Sequence, residues 1–174
     1  MLGYHQPAIQ PRRPTPAAAG TTKLIGYVLS ALKNYEPGKE DLLRLDDKCV
    51  NSGFHHSGTE SDVGISGNPM RMGLWRVLRK LTCSYCEPKR MPFSLINFSD
   101  FIQQGLMPCV CRNTQGFSGI VVQKLEHITN DRTKLNILIL ELAKRGKHVV
   151  AEDNICLSCC HPSTRELLNG QASH

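Results

Sequence analysis

The chain has 174 residues, a net charge of +6 and a pI near 9.0; 40% of its residues are hydrophobic and only 6% aromatic. That is enough for one modest aliphatic core, of the kind that small domains often reinforce with a metal. No apolar run approaches the roughly 20 residues that span a bilayer, and the start of the chain has no apolar signal core. The expected compartment is therefore reducing, cytoplasmic or nuclear, where closely spaced cysteines are metal ligands more often than disulfides.

Residues 1–20 carry Pro7, Pro11, Pro14 and Pro16 beside Arg12 and Arg13, and read as a disordered, basic, proline-rich tail. Leu24, Ile25, Val28, Leu29 and Leu32 follow helical spacing, so a first helix is expected over 22–35, stopped by Pro37-Gly38. Leu42, Leu43 and Leu45 mark a second helix over 39–47, completing a helical hairpin across 21–47. Residues 48–69, with Gly53, Gly58, Gly64 and Gly67, read as a flexible loop that separates the hairpin from a zinc-binding core over 70–169. A third helix starts near Pro69 with the stripe Met70, Leu74, Val77, Leu78 and Leu81. A short helix capped near Asn97 or Ser99 ends at Gly105. Residues 109–111 and 119–125 are expected to pair as an antiparallel hairpin across Asn113 to Gly116. A long helix over 130–145, capped by Asn130 or Asp131 and stopped at Gly146, precedes a strand over 148–151. Ser163 to Glu166 matches a capping box for a last helical turn, and 170–174 form a tail. The expected fold is a small zinc-stabilised α+β module of about four helices and a short antiparallel hairpin.

Seven of the eight cysteines fall in three clusters: Cys83 and Cys86; Cys109 and Cys111; and Cys156, Cys159 and Cys160, with His161 directly after. Two thiolates a few residues apart grip one tetrahedral metal from a single knuckle, and structural zinc leaves no position open, so knuckles must combine. Eight donors suffice for two Zn(II) sites, or for one with donors to spare. The expected grouping gives each of the first two knuckles a share of the crowded terminal cluster. Cys49, His55 and His56 are the substitutes.

The segment 70–91 holds Arg71, Arg76, Arg79, Lys80, Lys89 and Arg90 against the single acid Glu87, with Trp75 and Tyr85 between them. Cations of this density seat phosphates, and aromatics among them stack on bases. The expected partner is nucleic acid, RNA in particular, gripped by these eight residues beside the first knuckle. The alternative is a zinc-stabilised adaptor that binds a partner protein through the 22–35 hairpin or the 48–69 loop. No Gly-x-Ser-x-Gly elbow, His-Glu-x-x-His helix or phosphate-binding glycine loop is present. Pro108-Cys109-Val110-Cys111 is one residue too short for the zinc-deaminase pattern, which also needs His-x-Glu. The expected role is therefore non-catalytic and regulatory. In composition alone, the chain resembles the small accessory regulators encoded by viruses.

Overall fold

A computed structural model describes residues 22–30, 37–64, 71–86, 90–92, 94–95, 97–111, 116–151 and 155–157. In chain order the elements are β1 (Lys23–Ser30), α1 (Lys39–Asn51), β2 (His55–Val63), α2 (Met72–Thr82), α3 (Phe98–Gly105), β3 (Gly119–Val122), a 3-10 turn (Leu125–His127), α4 (Arg132–Lys144), β4 (His148–Ala151) and β5 (Ile155–Leu157). The sheet order is β2-β1-β3-β4-β5. The first four strands run parallel, and β5 is antiparallel to β4.

This is a doubly wound α/β fold, not the expected α+β module. Residues 23–30 of the helix expected over 22–35 form the interior strand β1, which rules out the helical hairpin expected over 21–47. The loop expected over 48–69 contains the edge strand β2, and both strands belong to the same sheet as the cysteine-bearing part. Nor do residues 109–111 and 119–125 pair as the expected antiparallel hairpin: residues 109–111 form no strand, and β3 pairs in parallel with β1 and β4. A parallel pair requires a crossover, and the helices supply it. The tail 1–20, the capping box and residues 170–174 lie outside the described residues.

Side chains alternate across the sheet and sort into two cores. Leu24, Val28, Val121 and Val150 pack with Leu45 and Cys49 of α1 on one face. Ile25, Tyr27, Ile120, Val122 and Val149 pack on the other against Leu74, Leu78, Phe101, Ile102, Leu138 and Leu142 of α2, α3 and α4. Fully buried side chains of this size each contribute about 1.5–3 kcal/mol.

The helices start where polar groups satisfy their free amides. The Asn97 side chain accepts from Asp100 N at 2.9 Å, and Asp131 accepts from Thr133 N at 2.9 Å and Lys134 N at 3.2 Å. The α2 amides are satisfied from outside the helix. Asp62 of β2 accepts from Gly73 N at 2.8 Å and Leu74 N at 3.0 Å. Gly73 permits that approach, since a Cβ there would lie 2.4 Å from the Ser61 carbonyl oxygen. Gly146, at φ 64°, ends α4 as expected.

Candidate functional site

Two sites lie at opposite ends of the strands. The chain leaves β1 toward β2 on one side and returns to β3 on the other, so the order reverses between β1 and β3. Open α/β sheets bind ligands outside the carboxyl ends of strands at such a switch point.

At this carboxyl edge Arg71, directly before α2, is only 7% exposed. Its guanidinium lies over the Tyr27 ring, 5.5 Å from the centroid. Nη2 donates to the His127 carbonyl at 2.9 Å and to that of Ile128. Nε and Nη1 are buried with no partner among the described residues, and so is Nδ1 of His127. Tyr27 donates its hydroxyl to Asp62 at 3.0 Å, and burial pushes its pKa up, keeping it a donor. Burial, then Lys124, holds His127 below 6.5. Ser30 closes β1 at the same edge, and Gln123, just past β3, donates to Asp41 of α1 at 2.7 Å.

The opposite, amino edge carries the cysteines. Cys83 caps the end of α2 and Cys86 follows one turn later. The chain then forms α3 and returns through Cys109 and Cys111. The four sulfurs lie within 4.8 Å of one another and could hold one metal ion. Cys86 Sγ is 3.2 Å from Cys109 Sγ and 2.8 Å from Cys111 Sγ. Within each knuckle an amide turns onto a sulfur: Cys86 N on Cys83 Sγ and Cys111 N on Cys109 Sγ, both at 3.4 Å. The Cys111 amide, then Cys86, pulls the Cys109 thiol down to about 7, while hydrogen bonding with Cys111 and Cys109 pushes Cys86 up.

Among the described residues the two knuckles therefore meet each other. Cys159, Cys160 and His161 lie outside the described residues, and of Cys156 only the backbone, paired with Val150 in β5, is described. Cys49, on the inner face of α1, is fully buried, with its pKa pushed to about 12 by burial and Asp46. His56 is bound to Asp46 and Thr59 on the α1 face.

The eight residues expected to grip nucleic acid are dispersed. Trp75 is 5% exposed and tilts against Phe101 at 5.6 Å, so it belongs to the core. Arg76, 3.7 Å away, and Lys80 share Glu60 of β2. Arg79 Nη1 donates to the carbonyls of Gln104 at 3.3 Å, Gly105 at 3.5 Å and Met107 at 3.0 Å, closing the end of α3. Tyr85 is 75% exposed on the first knuckle, and Arg90 is exposed. Lys89 lies outside the described residues. Arg71 alone sits at the switch point. Sequence reasoning missed His127 and Ser30 there, because without the strand order nothing marks the ends of β1 and β3 as neighbours.

No protein-family model matches the chain, and no curated protein is similar to it in sequence. Its structure is similar to the N-terminal catalytic domain of TP901-1 integrase, with a TM-score of 0.54 and 13% identity over 87% of this chain and 92% of that one. At this identity the likeness shows a shared fold and nothing further. Among the described residues, no helix is long and apolar enough to cross a membrane.

Proposed function

We propose that the chain is a zinc-stabilised, nucleic-acid-binding protein that seats a backbone phosphate at the carboxyl edge of its sheet. The observation that carries this reading is Arg71. A buried guanidinium with two unpartnered donor nitrogens is costly, and an oxyanion matches its fork. His127 Nδ1 adds a third polar atom without a partner among the described residues at the same edge. The likeness to an integrase catalytic domain agrees with a phosphodiester as the ligand.

Zinc is the metal we assign to Cys83, Cys86, Cys109 and Cys111. Four thiolates select Zn(II) or iron–sulfur chemistry, and four sulfurs on a tetrahedral zinc lie about 3.8 Å apart, within the spread found here. A closed four-sulfur site is structural, so zinc supplies rigidity and leaves ligand binding to other residues.

The test titrates labelled single-stranded RNA and duplex DNA at two salt concentrations. Arg71→Gln should weaken binding about tenfold or more and flatten the salt dependence by about one phosphate contact. Arg71→Lys, keeping the charge but losing the fork, should fall between. Binding indifferent to both changes would remove the phosphate from this edge. A second reading, catalysis, is favoured by the likeness to a catalytic domain and by Ser30, a hydroxyl at the end of the interior strand β1. Probe cleavage that Ser30→Ala abolishes would establish it.

A further inference from the structure

The carboxyl edge holds two kinds of buried nitrogen without partners among the described residues, and they answer to pH differently. Arg71 Nε and Nη1 belong to a guanidinium that stays charged at every working pH. His127 Nδ1 belongs to a ring that titrates near neutrality. Neutral imidazole has one donating and one accepting nitrogen, and imidazolium has two donors. The two residues are tied together through the backbone. Arg71 Nη2 donates to the carbonyl of His127 itself at 2.9 Å and to that of Ile128, so the guanidinium is anchored on the turn that carries the imidazole.

The charges around His127 come from several elements. Lys124 and Glu126 flank it on its own turn, Arg71 approaches from the start of α2, and Asp41 from α1. Asp41 is already engaged, accepting from Gln123 at 2.7 Å and from Gly38 N at 3.3 Å. On the other side of Arg71 lie the Tyr27 ring of β1 and, bonded to its hydroxyl at 3.0 Å, Asp62 of β2. Burial first, then Lys124 and Arg71, keep the ring neutral, against the weaker pull of Glu126 and Asp41. An anion on Arg71 would reverse that balance. It offsets the guanidinium charge that opposes the proton, and it brings an acceptor to a buried nitrogen that lacks one.

We propose that His127 makes the phosphate seat proton-linked: the site takes up one proton from solvent with each phosphate it binds, and Nδ1 of the resulting imidazolium donates to a phosphate oxygen beside Arg71. This inference rests on the reading of Arg71 as a phosphate seat and adds the regulation of that seat. A phosphodiester keeps its single negative charge across the neutral range, so the proton is taken up by the protein. Linkage fixes the sign. Affinity is lowest, and independent of pH, above the pKa of His127 in the complex. It rises by up to about tenfold per pH unit as pH falls below that value, and levels off below the pKa in the free protein.

The experiment is calorimetric titration of the zinc-loaded full chain with single-stranded RNA and with duplex DNA, from about pH 6 to pH 8. Each titration is run in two phosphate-free buffers of different protonation enthalpy, and the difference in heat counts the protons taken up. Uptake approaching one proton per bound site should appear as pH falls through this range. His127→Gln should remove the uptake and hold affinity near its high-pH value. His148→Gln should leave the uptake unchanged, because His148 starts β4 at the amino edge. Lys124→Gln keeps the test open even if His127→Gln fails to fold. Its side chain is exposed, and losing a cation that opposes the proton should move the window of uptake to higher pH. Binding that requires Arg71 but takes up no proton, or uptake that His127→Gln leaves intact, would overturn this inference and leave the phosphate seat standing. No binding, or binding indifferent to Arg71→Gln, would overturn both.

Discussion

Gly26 shows how one residue admits a polar cluster into an otherwise apolar face. A Cβ at this position would lie 2.7 Å from both His56 Nε2 and Thr59 Oγ1, and 2.9 Å from Leu45. His56 in turn bridges Asp46 on α1, at 2.5 Å, and Thr59 on β2, at 2.9 Å. Gly26→Ala should therefore cost about 1–3 kcal/mol, as overpacking does, by prising α1 from the sheet; denaturant unfolding measures it, and an unchanged midpoint would show that the cluster yields freely. His148 gives a pH effect. Burial, then Lys147, holds its folded pKa below 6.5, and its ring lies against Phe54. The unfolded chain thus binds the proton more readily. The contribution is complete above about pH 6.5 and falls away as pH drops toward the folded pKa. His148→Gln should flatten the loss of stability on acidification, read at matched bound zinc because thiolates also protonate in acid. At this scale the sequence revealed the cations but not their use. Arg79 and Trp75 fit an exposed basic face by spacing, yet Arg79 closes α3 and Trp75 enters the core, roles that only the neighbouring helix explains.

Helices were legible as elements; the first two strands were not. The starts of α3 and α4 and the glycine after α4 follow from local chemistry at Asn97, Asp131 and Gly146, which no tertiary contact overrides. The strand β1 is buried on both faces, and such a strand loses its two-residue alternation; Leu24, Ile25, Val28 and Leu29 then mimic a helical stripe. Tyr27 and the β-branched Ile25 and Val28 are the signal that favoured a strand. The edge strand β2, His-His-Ser-Gly-Thr-Glu-Ser-Asp-Val, is polar because its side chains serve other elements: Glu60 pairs with Arg76 and Lys80 of α2, and Asp62 caps that helix. Polarity and glycine hid it as a loop. The knuckles were legible as metal-ligand pairs, but their partnership depends on α3 bringing Cys109 back to Cys86, which spacing alone cannot fix. That partnership gives an element-scale expectation. Cys109→Ser should abolish tight zinc binding and speed amide exchange throughout α3. Cys49→Ala, on the buried face of α1, should keep a full zinc equivalent. Equal zinc loss in both would break the ligand assignment.

At the scale of the whole molecule, four thiols that could hold a metal ion stand at the amino edge of the sheet, and Arg71, with two donors unpartnered among the described residues, stands at the carboxyl edge. All four thiols that meet fall between α2 and β3, in the single crossover that carries the chain from the edge strand past β1. Metal binding there constrains a connection, not the sheet. The face formed by Leu24, Val28, Val121 and Val150 with α1 contains none of the four meeting thiols. The other face receives Phe101, Ile102 and Leu106 from the segment that a metal on these thiols would close, so it should feel the loss. Removing zinc with a chelator should therefore release one ion per four-thiol cluster. It should open residues 83–111 to proteolysis and amide exchange, and lower the midpoint of unfolding, because binding free energy here is also folding free energy. Amides of β1, β3 and α1 should remain the slowest to exchange. Mass-spectrometric hydrogen exchange on matched zinc-loaded and chelated samples reads both regions at once. Uniform loss of protection across the sheet would mean that the metal holds the entire fold, and unchanged protection at 83–111 would mean that the knuckles close without it.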